Sequence, residues 1–299
     1  MNLVCSRLTP ALGATAVLPQ GVEDISDELA DLVHAALIEH SVLVFPDADL
    51  DAQRMVQLGN ALGTLGIRHH SYTSHPDFDD VVVLTWEGDQ KPDAAEWHSD
   101  MTYRPQPPFA SILKAVEVPP VGGDTLWASM FAVHDALDAG LRRDLEQLQA
   151  VHDMGAFRTG AYQEGGDEGI SAAMTRAGTA VHPVVAHHPV TGRPYLNVSE
   201  SFTRFIIGLS APESGRLLTY LFDLINRPDF HVRIKWAPDT TVIWDNRGTQ
   251  HYAVADYLPH RRVMHRVAVV TDKRTPSNPH PTARSADGAD STVRGPVPA

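Results

Sequence analysis

A chain of 299 residues that is 43% hydrophobic and 20% charged has an ordinary globular composition. No run approaches the roughly 18 uninterrupted apolar residues with which a helix spans a bilayer, so a soluble protein is expected. The formal charge of −13, from 24 basic and 37 acidic side chains, excludes the concentrated basic face that nucleic acid requires. With Cys5 as the single cysteine there is no internal disulfide and no cysteine-built zinc or iron–sulfur centre, so metal ligands must come from the 16 histidines and the carboxylates. The N-terminus has no basic start leading into an apolar stretch, which points to a soluble, cytoplasmic protein.

In chain order, Ser26 is placed to cap a helix whose Leu29, Leu32, Val33, Ala36 and Leu37 recur at helical spacing. Ser41–Phe45 then reads as a buried strand. Asp51–Leu62 predicts a second helix, with Met55, Leu58 and Leu62 on one face and Gly63 ending it. Val81–Leu84 is a strand candidate, and an irregular link from Trp86 to Glu96 delivers the chain to Trp97-His98. Phe109–Val118 reads as a strand broken by Pro119-Pro120 and Gly122-Gly123. That glycine pair predicts a turn and not a phosphate cradle, because no Walker-type lysine follows.

Two further helices are predicted over Leu141–Val151 and Pro212–Ile225, the second with Leu218, Leu221, Phe222 and Ile225 on one face. Strands are predicted over Ala180–Ala186, Tyr195–Val198, Phe230–Trp236, Thr240–Trp244 and Val263–Val270. Many short strands with Pro and Gly punctuation predict a mainly β sandwich or jelly roll with helical additions, as one domain over residues 1–274. Residues 275–299 carry five prolines and almost no large apolar side chains, the composition of a disordered tail.

The chemistry concentrates in His98-Ser99-Asp100 and, 153 positions later (251 − 98), in His251. Two imidazoles and one carboxylate form the facial triad that leaves positions open on ferrous iron. Residues two apart share one face of a strand, so His98 and Asp100 can be aimed at a single ion. Alone, His-x-Asp is common, and Asp100 could instead cap backbone groups. Arginines in an acidic protein ordinarily pair with surface carboxylates. His152, His182, His187 and His188 are read as structural or surface residues.

Three separated motifs raise that reading. They are Trp97-His98-Ser99-Asp100-Met101-Thr102-Tyr103, Gly122-Gly123-Asp124-Thr125-Leu126-Trp127, and Trp244-Asp245-Asn246-Arg247 leading through Thr249-Gln250 to His251, followed by Arg262 and Arg266. In residues, order and spacing, from about Leu29 to Lys273, the chain resembles the taurine dioxygenase (TauD/TfdA) family of iron(II)- and 2-oxoglutarate-dependent dioxygenases. The resemblance implies a double-stranded β-helix, the jelly-roll or cupin-like fold. It implies His98, Asp100 and His251 as catalytic iron ligands, with Thr125 and Arg262 on the distal carboxylate of 2-oxoglutarate and Arg266 beside them. Arg262 and Arg266 lie 11 and 15 residues after His251. If they continue one strand with Met264 between them, both face one pocket. A guanidinium fork matches a carboxylate in a way that lysine cannot. The implied reaction consumes O2 and 2-oxoglutarate, yields succinate and CO2, and removes hydrogen from a substrate C–H bond. Asp100 favours hydroxylation, since halogenating relatives carry a small residue there.

The resemblance also implies substrate contacts at His70, Tyr72, Phe202 and Arg266, with His69 competing with His70 because the local alignment shifts by one residue. Asp93-Ala94-Ala95-Glu96 stands where the taurine enzyme carries amides, and Met154–Gly160 departs from its substrate loop. The substrate is therefore expected to be a small organic anion, a sulfonate, sulfate ester, carboxylate or phosphonate, without commitment to taurine. The alternatives are a biosynthetic hydroxylase, desaturase or epoxidase of an amino-acid-like compound, and a metal-binding jelly roll without turnover. The resemblance implies a homo-oligomer, dimer or tetramer.

Overall fold

The computed structural model describes residues 2–18, 25–48, 50–66, 72–89, 91–92, 95–155 and 178–275. Helix α1 (Asp27–His40) starts where the Ser26 hydroxyl accepts the Leu29 N–H, and Asp27 and Glu28 place negative charge on its first turn. Helix α2 (Ala52–Leu62) is capped by Asp51, whose carboxylate accepts the Arg54 N–H at 2.8 Å. Gly63 ends α2 in an extended conformation, not a left-handed one. A glycine is required there because a Cβ would sit 1.8 Å from the Thr271 carbonyl oxygen.

The largest sheet runs in the order β1 (Val4–Arg7), β2 (Ala14–Val17), β3 (Val42–Phe45), β14 (Thr241–Asp245), β6 (Ala110–Glu117), β16 (Arg262–Val269), β5 (Val82–Trp86), β4 (Thr73–Ser74). Opposite it lie β13 (His231–Ile234), β7 (Thr125–Ser129) and β15 (Thr249–Ala253) in one sheet, and β12 (Thr203–Ile206), β8 (Gln149–His152) and β9 (Ala180–Pro183) in another. A short hairpin joins β10 (Val185–His187) to β11 (Pro194–Leu196). Helices α3 (Met130–Asp135), α4 (Ala139–Leu145) and α5 (Ala211–Ile225) complete the described elements.

The alternation of each strand sorts its side chains into layers. Leu43, Phe45, Ile112, Ile243 and Val267 point outward and pack beneath α1 and α2 with Leu29, Val33, Met55 and Leu58. Their neighbours Val42, Val44, Leu113, Trp244 and Met264 point inward and meet Trp127, Val232 and Ile234 from the facing sheet. On the far side, α3 and α5 cover the second layer with Met130, Leu218, Leu221 and Ile225. This is the double-stranded β-helix expected from the sequence, and its inner layer holds the site.

Three predicted elements are corrected. The helix over Leu141–Val151 ends at Leu145, and Gln149–His152 is a strand hydrogen-bonded to β9 and β12, with Ala150 and His152 buried in strand alternation. Two flanking ladders outweigh a helical propensity that is weak over so few residues. The strand over Ala180–Ala186 divides after Pro183, and Val185–His187 pairs with β11. Phe230 belongs to a 3-10 turn, Pro228–Phe230, and its strand begins at His231. The expected tail from 276 onward lies outside the described residues, while Thr275 lies within them.

Candidate active site

His98 and His251 come from segments far apart in sequence and meet as a two-residue antiparallel bridge. The His98 N–H donates to the His251 carbonyl at 3.2 Å, and the His251 N–H returns to the His98 carbonyl at 2.8 Å. The ring centroids are 4.1 Å apart. Asp100 follows on the same face, and its Oδ1 lies 4.0 Å from His98 Nε2 and 3.8 Å from His251 Nε2. One ligand atom from each of the three, all buried, falls within 4.8 Å of the others. The His98 Nδ1–H donates to the Glu96 carbonyl at 2.8 Å, which leaves the Nε2 lone pair facing the cluster.

The electrostatics prepare this donor set for a cation. Burial lowers the pKa of His98, and burial together with the neighbouring His98 lowers that of His251 well below the usual histidine range, so both rings offer neutral nitrogens. Burial opposes ionisation of Asp100, but the Arg266 guanidinium, the two imidazoles and the Ser111 hydroxyl outweigh it and hold the carboxyl at about 2. Two neutral imidazoles and one carboxylate fit ferrous iron with positions left open.

The Trp244–His251 motif builds the frame around these ligands. The Asn246 side chain brackets the backbone of Asp100: its Oδ1 accepts the Asp100 N–H at 2.7 Å, and its Nδ2 donates to the Asp100 carbonyl at 3.0 Å and to that of Pro108 at 3.1 Å. Ser99 donates to the Thr249 carbonyl at 2.7 Å, and Ser111 donates to Asp100 Oδ2 at 2.9 Å. Behind them Arg247 binds Asp245 through Nε and Nη2 at 3.0 and 2.7 Å and Asp272 through Nη1 at 3.0 Å. His188 pairs with Asp245 at 3.0 Å and His34 with Asp272 at 3.0 Å, closing a buried network. Ser111 and Asn246 were not singled out from sequence. The available signals were a serine on the inward face of an apolar strand and an amide inside an already recognised motif.

The two arginines of β16 share its inward face, yet they do different things. Arg262 is 3% exposed, and its Nη2 donates to Thr125 Oγ1 at 3.4 Å, while the indole of Trp236 donates to the same hydroxyl at 3.0 Å. Rings of Trp86, Trp236 and Tyr257 surround its guanidinium at 5.8–6.0 Å, and its Nε has no partner. Among the described residues no carboxylate pairs with it. Burial drags its pKa down to about 10, which still leaves it charged at neutral pH. Arg266, by contrast, pairs with Asp100 Oδ2 at 3.0 Å.

Of the expected substrate residues, Phe202 is buried with its ring edge-on to His98 at 5.8 Å and to Tyr103 at 5.4 Å. Tyr72 is half-buried against the inner aromatic and aliphatic layer. His69, His70, Asp93, Ala94 and the stretch 156–160 lie outside the described residues. Gly122 and Gly123 make the expected turn, both with left-handed φ, +78° and +74°. His152, His182 and His188 are buried and hydrogen-bonded, while His187 is exposed.

A jelly roll whose inner layer carries a His-x-Asp and a distant histidine beside a buried guanidinium defines a metal-dependent oxygenase class. Residues 6–268 match the model of the taurine catabolism dioxygenase TauD, TfdA family, and the chain belongs to that family. It is 31% identical over 275 residues to an alpha-ketoglutarate-dependent sulfonate dioxygenase of Saccharomyces cerevisiae, covering 86% of this chain and 64% of that protein. An alkylsulfatase of Acinetobacter baylyi is 30% identical over 282 residues, covering 92% and 87%. A crystal structure of a putative alpha-ketoglutarate-dependent taurine dioxygenase from Burkholderia xenovorans superposes with a TM-score of 0.77 at 29% identity, covering 91% of this chain and 93% of that one. No helix among the described residues is long and apolar enough to cross a membrane.

Proposed function

We propose that this protein is an iron(II)- and 2-oxoglutarate-dependent dioxygenase that hydroxylates a small organic anion, of the sulfonate or sulfate-ester kind that similar proteins are named for. One observation carries the reading: the buried His98–Asp100–His251 cluster shares the inner layer with a buried arginine, Arg262, that pairs with no carboxylate among the described residues. His98, Asp100 and His251 would hold the metal, and bound iron with 2-oxoglutarate supplies the oxygen chemistry. Arg262 and Thr125 would seat the far carboxylate of 2-oxoglutarate, the guanidinium supplying the charge and the fork, and the surrounding rings excluding water that would weaken the pair. Ser111 and Arg266 keep Asp100 deprotonated, so its oxygen is available as a ligand. Phe202 walls the metal face and keeps it dry. The match over residues 6–268 supports treating residues 1–274 as one catalytic unit, which we place in the cytoplasm as a homo-oligomer.

Succinate formation with iron, 2-oxoglutarate, O2 and a panel of alkyl sulfates, sulfonates, carboxylates and phosphonates tests the reading. At least one panel member should stimulate succinate above the substrate-free rate, and His251→Ala should bring it to background. A wild-type protein that binds neither iron nor 2-oxoglutarate would overturn it.

A further inference from the structure

Gly122-Gly123 and Tyr257 have no part in the site as described so far, and they meet beside Arg262. Both glycines take a left-handed φ, which turns the chain back against the segment that carries Tyr257. The Gly123 N–H donates to Asp256 Oδ1 at 2.8 Å, and a Cβ on Gly123 would stand 3.3 Å from Tyr257 Cδ1 and 2.9 Å from Pro119. Two residues on, the same turn delivers Thr125 to β7, so Thr125 and Tyr257 are positioned together.

Tyr257 is 2% exposed and its ring lies 6.0 Å from the Arg262 guanidinium, yet its hydroxyl has no partner among the described residues. Its phenol bears on Arg262 more strongly than Asp124 does, and the Asp124 carboxylate is already held by Arg233 at 2.7 Å. Such an interaction weakens with distance, so the hydroxyl itself, and not only the ring, faces the guanidinium. The Arg262 Nε–H is likewise without an acceptor. Thr125 Oγ1 accepts from Arg262 at 3.4 Å and from the Trp236 indole at 3.0 Å, which leaves its own O–H to donate elsewhere. Guanidinium, threonine hydroxyl and phenol thus offer buried donors with no acceptor, an arrangement that costs free energy until one arrives. The indoles of Trp127 and Trp244 also lack partners, but their rings lie against His251, at 6.3 and 4.9 Å, at the metal end of the layer. What the Arg262 end calls for is one negative group with several lone pairs, which is a carboxylate.

We propose that the Tyr257 hydroxyl is a third donor, beside Arg262 and Thr125, to the distal carboxylate of 2-oxoglutarate, and that it sharpens the choice of a 2-oxo acid with a second carboxylate over one without. The proposal rests on the dioxygenase reading and adds a specificity-determining residue to it. The test is anaerobic equilibrium titration of the iron(II)-loaded protein with 2-oxoglutarate and with 2-oxopentanoate, which ends in a methyl group where the other carries its second carboxylate. Wild type should prefer 2-oxoglutarate. Tyr257→Phe, which keeps the ring, should weaken 2-oxoglutarate about 5- to 30-fold and 2-oxopentanoate less than about twofold. Because the hydroxyl has no partner before the ligand arrives, Tyr257→Phe without 2-oxoglutarate should melt no lower than wild type, while the rise in melting temperature on adding 2-oxoglutarate should shrink. A Tyr257→Phe protein that binds 2-oxoglutarate as wild type does overturns the assignment. So does one in which both acids weaken alike or the unliganded protein melts lower, the marks of a merely structural role. Wild type that binds iron and takes both acids equally overturns the carboxylate pocket and Tyr257 with it; wild type that takes neither iron nor 2-oxoglutarate overturns the dioxygenase reading beneath both.

Discussion

Two buried clusters of charge leave the same eight-residue stretch, Trp244 to His251, and differ in one respect. Around Arg247 every charge is answered: both carboxylates, Asp245 and Asp272, accept from the guanidinium and from a histidine, and the guanidinium also stacks on Phe109 at 4.3 Å. Around His251 the charges and lone pairs are left open. Arg262 pairs with no carboxylate among the described residues, and three ligand atoms converge on one another. The residue types are the same in both, arginine, aspartate and histidine. Satisfaction separates them: a closed network fixes the chain, here tying α1, the β14–β15 turn and Asp272 together, whereas an open set waits for a ligand.

Replacing the two arginines tests that contrast most severely. Arg247→Met leaves Asp245 and Asp272 buried without their cation, which costs about 3–5 kcal/mol. Thermal unfolding should fall by on the order of 10 °C, given roughly 2–4 °C per kcal/mol for chains approaching this size. Arg262→Met removes a buried charge that no carboxylate among the described residues balances and fills its place with an apolar chain. Folding stability should then change by less than about 1 kcal/mol, with lost cation–π attraction offset by relieved desolvation. The 2-oxoglutarate concentration needed for turnover should rise about 10- to 100-fold, while iron affinity moves far less. Equal destabilisation by the two substitutions in a melting experiment would erase the distinction.

Much of the open cluster was legible because its chemistry is local in sequence. His98 and Asp100 sit two apart, and Arg262 and Arg266 lie four apart on one strand face, so spacing alone put each pair together. The shared face of Arg262, Met264 and Arg266 was legible from strand alternation, whereas Val42–Phe45, apolar and buried throughout, announces a buried strand without saying which side chains face inward. What sequence could not supply was pairing. Nothing in the spacing says that Arg266 is held by Asp100 while Arg262 meets a hydroxyl and, among the described residues, no carboxylate, because both readings satisfy the same alternation. Gln149–Val151 falls inside the predicted helix because four strand residues carry too little period to override their neighbours, and the two partner strands come from elsewhere in the sequence. Thr125–Ser129 and Thr249–Ala253 carry polar residues where the site needs them, which hides the strand pattern.

The closed network makes a finer prediction about acid. Asp272 is buried, and although burial opposes its ionisation, the His34 hydrogen bond and the Arg247 charge outweigh that and hold its carboxyl at about 2. Its ordinary value in an unfolded chain is about 3.9. A carboxyl depressed on folding contributes stability in full above its unfolded value, and that contribution is lost as pH falls from about 4 to about 2. Asp272→Asn should therefore cost about 2 kcal/mol at pH 7, and the gap from wild type should persist unchanged to pH 5. Below pH 4 the gap should close, since wild type must then protonate the group that the variant already holds neutral. Urea unfolding of both proteins at pH 7, 5 and 3 reads this directly. A gap that stays constant down to pH 3 would mean that Asp272 acts through its shape and hydrogen bonds, with its charge contributing nothing, and the network would then not be the electrostatic counterpart of the open site.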